Sequence, residues 1–205
     1  RGRGNLTLLL DSNQKGFLPQ QFEANDLYFS YAQNQLQATG NAQSLKIKLN
    51  APALYELYPG LKGRAYGSLN VQSQPRLKAI ANIAVDNFAF KDVASVRSLR
   101  IQGELPTSET IPTLLAAKID HLRSGNREIE NATVNLAGTR KAHVLKVESK
   151  NRQSNFYLQL AGGFNSNNEW LGQLQKGNFA SPRINLVQNQ NAAIVYSTRL
   201  SELYV

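Results

Sequence analysis

A period-two alternation of apolar and polar residues runs through most of this chain. It is clearest in segment 45–49, where Leu45, Ile47 and Leu49 alternate with lysines, and in segment 77–85, where every second residue is apolar. Side chains of a β-strand point alternately to the two faces of a sheet, so this pattern gathers the apolar residues on one face. The sequence therefore predicts an all-β fold whose strands each have one apolar and one polar side.

The connections between the alternating segments are short and rich in turn-forming residues, as in 124–126 and 151–154. Connections of this length join antiparallel neighbours, because a parallel crossover needs a dozen or more residues. One helix of about two turns is predicted after Pro52, and Pro59-Gly60 ends it. The stretch Thr110–Ala117 is left open between a turn and a strand. We therefore expect an elongated, mostly antiparallel sheet with one short helix.

The chain is expected to form a single continuous segment, residues 1–205. No linker rich in Pro, Gly or Ser divides it, and no block of like charges does so. No apolar run approaches the roughly 20 residues that cross a bilayer, and the first residues lack the apolar region of a signal peptide. Both ends fall inside apparent strands, so we expect the sequence to be a fragment of a longer protein.

Catalysis and metal binding find little support in the sequence. The absence of cysteine excludes disulfides and thiolate metal sites. Neither His121 nor His143 has a second histidine at ligand spacing, and Asp120 should point away from His121 because neighbours on a strand face opposite sides. Glu128 and Glu130 share a strand face, but their position among arginines is explained by surface solubility. We predict that the chain is not an enzyme and holds no metal and no cofactor.

The chain carries an excess of positive charge, +9 at pH 7. Its basic residues are dispersed, and aromatic residues are not interleaved with them as a nucleic-acid stacking platform would require. We therefore predict no nucleic-acid partner. If the excess charge serves a function, anionic lipid headgroups are the predicted partner.

The wide aliphatic face of the predicted sheet needs a cover. Helices that would provide one are almost absent, so the sheet must cover itself by folding over. A sandwich, a closed barrel and an open trough all satisfy this requirement. The alternation favours ordinary packing against a second sheet, but periodicity alone does not separate the three.

A series of short elements resembles the TamB-like family of the AsmA-like superfamily. In that family a short helix ends in Pro-Gly-Leu-x-Gly and runs into a strand, followed by Pro-x-Leu before a long strand ending in aromatic residues. A Gly-Thr followed by a histidine and a Trp-x-Gly-x-Leu element come later. The matching elements of this sequence occur in that order, within roughly residues 45–190, at 54–63, 65–71, Pro75-Arg76-Leu77, Phe88, Phe90, 136–139, His143 and 170–174.

The resemblance implies a periplasmic bridge between the inner and outer membranes of a Gram-negative bacterium. It implies a U-shaped, taco-like trough with a hydrophobic concave interior that carries phospholipid acyl chains, and a link to outer-membrane protein assembly. The full-length protein would be anchored in the inner membrane and would meet a TamA-like outer-membrane partner of the Omp85 type. The fragment is expected to be internal or C-terminal. The predicted lining residues are Leu77, Ile83, Val85, Leu99, Ile101, Ile119, Val134, Leu136, Leu145, Val147, Phe156, Leu158 and Leu160.

A different function for the same sheet is also open. Unpaired strand edges could template nascent outer-membrane β-strands by augmentation, without carrying lipid. An adhesin or carbohydrate-binding module would need aromatic residues aligned on an outward face, and the lone Trp170 argues against it. A hydrolase has the weakest support of these alternatives.

Overall fold

The alternating segments form β-strands in the computed structural model of the protein, which describes residues 2–9, 21–41, 43–72, 78–106, 111–197 and 202–204. The strands are β1 Gly2–Leu9, β2 Gln21–Tyr31, β3 Asn34–Asn41, β4 Ser44–Ala51, β5 Leu61–Gln72, β6 Lys78–Phe90, β7 Ala94–Pro106, β8 Thr113–Ser124, β9 Arg127–Gly138, β10 His143–Asn151, β11 Ser154–Phe164, β12 Trp170–Ala180, β13 Asn185–Val187, β14 Ala192–Ser197 and β15 Glu202–Tyr204.

All of these strands belong to one antiparallel sheet. Its strands follow the order of the chain from β1 to β12 and continue through β14 to β15, while β13 pairs with the far half of β12. The all-β, antiparallel architecture is therefore confirmed. The sheet is neither closed into a barrel nor strongly curled, so the U-shaped trough stays a prediction.

The predicted two-turn helix is wrong in its extent. The structure has a single 3-10 turn at Leu54–Glu56. The reason is that β4 continues to Ala51, leaving few residues before Pro59-Gly60, where a helix must end. The ambiguous stretch before β8 becomes strand from Thr113 onward. Ser73-Gln74-Pro75 is another turn-forming cluster between alternating segments of the sequence, and it lies outside the described residues.

The sheet has no second layer among the residues that the structure describes. The main contacts between elements join neighbours in the sheet, together with the 3-10 turn packed beside β5. The buried apolar residues are Ala24, Ala51, Ala53 and Val96, and no large side chain is fully buried. The packing against a second sheet that the alternation favoured is therefore absent from the described part of the chain, and the apolar side of the sheet is left open.

Backbone irregularities interrupt several strands at positions that alternation does not reveal. Asp26, Asn87 and His121 adopt positive φ angles of 47°, 50° and 49°, a region that non-glycine residues seldom occupy. The strict alternation of successive side chains between the two faces of the sheet is lost at these positions. Nδ1 of His121 consequently lies 2.7 Å from Oδ1 of Asp120. The prediction that these two neighbours point to opposite faces is therefore wrong, and its cause is the left-handed backbone at His121.

Asn34 fixes the loop that follows β4 onto the β2–β3 hairpin. Its side chain is 5% exposed, its Nδ2 donates to the carbonyl of Ala53 at 2.9 Å, and its Oδ1 accepts from the amide of Ala53 at 3.2 Å. Nδ2 also lies 3.2 Å from a carboxylate oxygen of Glu56. A buried backbone amide and carbonyl are thus satisfied by one side chain, which holds the 3-10 turn in place.

We expect Asn34→Ala to lower the free energy of unfolding by about 2–3 kcal/mol, because it leaves the buried amide and carbonyl of Ala53 without partners. Chemical denaturation measures this loss. The matched control is Gln37→Ala on the same strand, whose side chain is exposed and whose loss should stay within about 0.5 kcal/mol. Equal stability of the two variants would contradict the anchoring role of Asn34.

Candidate functional site

The register of the strands brings apolar side chains into three parallel rows on one side of the sheet, here called the apolar face. The first row contains Phe29, Leu36, Leu49, Gly67, Ile83, Ile101, Ala117, Val134, Val147, Leu158 and Gly177. The second contains Leu27, Ala38, Ile47, Leu69, Ala81, Gly103, Leu115, Leu136, Leu145, Leu160, Leu174 and Ala192. The third contains Ala51, Ala65, Val85, Leu99, Ile119, Ala132, Ser149, Phe156, Phe179 and Leu186.

Every predicted lining residue that the structure describes lies on this face. Those in the first row are Ile83, Ile101, Val134, Val147 and Leu158. The second row holds Leu136, Leu145 and Leu160, and the third holds Val85, Leu99, Ile119 and Phe156. Leu77 lies outside the described residues. The sequence therefore placed these side chains on a shared surface, and their role in lining a lipid path stays a prediction.

Other residues of the apolar face were not among the predicted ones. Ile47, Leu69 and Leu115 occupy the second row on strands that precede those of its predicted residues. The alternation that could have identified such residues was present in the sequence, because Ile47 belongs to the clearest alternating segment of the chain. What was missing was the register, which alone tells which alternating segments lie opposite one another.

The apolar face is large for a surface that no other layer covers. The first row runs from β2 to β12, and with about 4.8 Å between strands it extends roughly 48 Å. Three rows at alternate residues add a width of about 14 Å, giving an area of roughly 700 Å². The largest apolar patch on a typical soluble monomer is about 300–600 Å² and is often functional. Ile83 is still 40% exposed and Leu49 37% exposed, so the face offers contact area to a partner.

The opposite side of the sheet, here called the polar face, carries amides and charges. One of its rows contains Gln37, Lys48, Ser68, Asn82, Gln102, Ala116, Asn135, Lys146 and Gln159. Shallow depressions of ≈ 530 Å³ and ≈ 320 Å³ lie mainly among polar-face side chains, the larger beside Lys48 and Arg100 and the smaller beside Glu148 and Tyr157. The apolar face is accordingly an extended surface, and these depressions do not belong to it.

One end of the apolar face is closed by an aromatic cluster of His143, Phe164 and Trp170. This end, the upper margin, is formed by the turns at 139–142 and 165–169. Nε1 of Trp170 donates to Nε2 of His143 at 2.8 Å, and Nδ1 of His143 lies 3.0 Å from the carbonyl of Thr139. Because an indole nitrogen only donates, Nε2 must accept, which places the imidazole proton on Nδ1. Both ring nitrogens of His143 are therefore engaged in hydrogen bonds, which gives this residue a structural role.

Glycines make room for the indole of Trp170. A Cβ atom added at Gly162 would come within 2.6 Å of the indole. The cross-strand partner Gly172 is even more tightly covered by the same ring. The close approach of an aromatic ring is thus a reason for glycine at these two paired positions.

Several charged groups of the sheet form ion pairs. The hydrogen bond from His121 lowers the pKa of Asp120 below its ordinary value, and the positive charge of Arg97, 3.6 Å away, acts in the same direction. Glu130 accepts from Nε of Arg152 at 3.2 Å. No group of three or more His, Asp or Glu side chains within the described ranges could hold a metal ion. These pairs offer surface ion pairing and no catalytic constellation.

Comparison with known proteins identifies the family of the chain. The family described as "TamB, N-terminal domain" matches residues 3–205. The "Translocation and assembly module subunit TamB" of Haemophilus influenzae is 25% identical over 188 residues, which is 86% of this chain and 14% of that relative. The chain thus spans about one seventh of the length of this relative. No solved structure matches the chain.

The matching family corrects one prediction and agrees with another. The expected internal or C-terminal position is not supported, because the matching family describes an N-terminal domain. The short elements that carry the resemblance identify the family and do not fix the position within it. Among the described residues, no helix is long and apolar enough to cross a membrane. The match to this family agrees with the prediction that the chain is not an enzyme.

The match extends over nearly the whole sequence and includes all the elements on which the resemblance was based. Within the described ranges, this match is accompanied by an antiparallel sheet that has one apolar face and no covering layer. The chain belongs to the TamB family, and residues 3–205 correspond to its N-terminal domain.

Proposed function

We propose that the apolar face carries phospholipid acyl chains as one segment of a periplasmic bridge between the inner and outer membranes. The observation that carries this proposal is the continuity of the apolar rows across β2 to β12 without a covering layer in the described residues. A surface of this kind needs an apolar occupant in water. A hydrocarbon chain fits because the rows present mainly aliphatic and phenylalanine side chains, and Ser149 is the single polar side chain among the residues of the three rows.

The energetics favour acyl chains that slide along the rows. Each methylene fully removed from water contributes about 0.8 kcal/mol, and a chain lying on an open face gains about half of that per methylene. The sum over a long acyl chain is several kcal/mol. Because equivalent residues repeat at every strand, the gain changes little as the chain moves from one strand to the next. The sheet thus binds lipid without fixing it at one place.

The wider setting follows from the family. A relative of this chain is named a subunit of a translocation and assembly module. We propose that the full-length protein is anchored in the inner membrane and contacts a TamA-like outer-membrane protein of the Omp85 type, and that residues 1–205 form one continuous part of its trough. Lipid carriage along the sheet would then support outer-membrane protein assembly. Curling of the sheet around bound chains would produce the predicted concave interior.

Edge augmentation is the second candidate function. The observation that favours it is that β13, inside the chain, pairs with β12 alone among the described strands. Unpaired backbone groups on such edges can add a strand of another chain. This function needs the edges of the sheet, whereas lipid carriage needs its apolar face, so the two candidates predict contacts at different residues.

We expect photo-cross-linking residues at Ile83, Val134 and Leu158 of the full-length protein to form lipid adducts in cells, because all three lie in the first row. Mass analysis identifies the adducts. The matched controls are their chain neighbours on the polar face, Asn82, Asn135 and Gln159, which should form none. Adducts at equal yield on both faces would contradict carriage on the apolar face.

We expect Val134→Glu to reduce bound lipid at least about tenfold, because a carboxylate in contact with hydrocarbon costs more than 1.4 kcal/mol. Quantification of lipid that copurifies with the full-length protein measures the effect. Asn135→Glu adds the same charge on the polar face and should leave the lipid content unchanged. Circular dichroism confirms that both variants keep the sheet. A folded Val134→Glu protein with a normal lipid content would show that the first row does not bind lipid.

The edge candidate has its own test. If the sheet templates strands, backbone-directed cross-links to a client outer-membrane protein should form at β13 and not at the central strand β8, whose two edges are both paired. Cells expressing each cross-linkable protein are compared by mass spectrometry of the adducts. Client cross-links confined to edge strands, together with no lipid at the first row, would favour augmentation over lipid carriage.

A further inference from the structure

We propose that Arg140, at the upper margin of the apolar face, binds the phosphate of an anionic phospholipid whose acyl chains lie on the neighbouring rows. This inference rests on the proposed lipid-carrying function and adds a headgroup site to it. A phospholipid whose acyl chains slide along aliphatic rows alone would have no preferred orientation on the sheet. A cation at one margin would hold the headgroup there and point the acyl chains across the face.

The order of side chains along β10, β11 and β12 matches the order of groups in a phospholipid. The aliphatic residues Leu145, Leu160 and Leu174 lie opposite one another in the second row. The aromatic cluster comes next toward the upper margin, with its rings 6.0–6.2 Å apart at their centroids. Tryptophan and other aromatic residues with a polar tip favour such boundaries between hydrocarbon and headgroups.

Arg140 continues this order outward from the aromatic cluster. Its guanidinium lies 5.3 Å from the centre of the Phe164 ring, and its carbonyl accepts from the amide of Phe164 at 2.9 Å. The turn is therefore joined to the end of β11 by backbone and side chain together. Stacking on the ring keeps the planar guanidinium beside the apolar face, in a geometry suited to a phosphate.

The charge of Arg140 is available for an anion. Its Nη2 donates to the neutral amide oxygen of Asn168, and that bond does not neutralise the guanidinium. Two other arginines of the sheet differ in this respect. Arg100 is paired with Asp86 at 2.6 Å, and Arg152 with Glu130 at 3.2 Å. A guanidinium has five N–H donors, so a phosphate can be bound while the contact with Asn168 persists.

The test uses the 205-residue chain and vesicles that contain equal amounts of phosphatidylglycerol and phosphatidylcholine with the same acyl chains. Lipid that remains with the protein after the vesicles are removed is quantified by mass spectrometry. We expect the lipid retained by the wild-type protein to be enriched in phosphatidylglycerol. We expect Arg140→Gln to lower the phosphatidylglycerol-to-phosphatidylcholine ratio of the retained lipid about fivefold, with the total amount of bound lipid unchanged. Arg152→Gln removes the same charge at the opposite end of the strands and should leave the ratio unchanged.

The outcomes separate the headgroup site from the proposed function. Bound lipid whose composition is the same in wild type and Arg140→Gln overturns the headgroup site and leaves acyl carriage standing. An equal fall in the ratio for Arg140→Gln and Arg152→Gln also overturns the site, because general charge then explains the preference. If the wild-type chain retains no lipid from either source, both the site and the proposed function are wrong. A selective fall for Arg140→Gln supports the site.

Discussion

The structure depends on the register of hydrogen-bonded antiparallel strands. Directly paired residues point to the same side of a sheet, so one consistent register carries an apolar row from strand to strand. The pairs Ile83–Ile101, Val134–Val147 and Val147–Leu158 are steps of one such row. A slip of one residue in any of these pairs would move lysines and amides onto the apolar face. The surface proposed to carry lipid is thus a consequence of backbone pairing more than of any single side chain.

An uncovered sheet must obtain its stability from pairing and from local anchors. The described residues bury few apolar side chains, and the buried ones are alanines apart from Val96. Anchors therefore matter more than in a globular core. Asn34 satisfies both backbone groups of Ala53, and Trp170 covers a pair of glycines while it donates to His143. Such contacts fix the ends of strands and leave the middle of the apolar face free for a guest.

The proposed function follows from the apolar side chains that the sheet leaves exposed. Exposed aliphatic rows in water favour contact with hydrocarbon, and the margins decide how an amphipathic guest lies on them. The aromatic cluster and Arg140 occupy one margin. The polar face presents amide and charged side chains to water. Membership of the TamB family gives this arrangement its setting in the bacterial envelope. A face without specific polar contacts suits movement of lipid, whereas a charged margin suits its orientation.

The sequence by itself determined the strands, their antiparallel pairing and which residues of each strand share a side, because alternation and short turns are local properties. It also placed on one face every residue of the predicted lining that the structure describes. Only the tertiary structure decided the register, the open single layer, and the contacts of Asp120 with His121 and of His143 with Trp170. The physical reason is that backbone hydrogen-bonding groups are the same in every strand, so local sequence does not encode which residues lie opposite. The close approach of the Trp170 ring to Gly162 likewise depends on the pairing of β11 with β12.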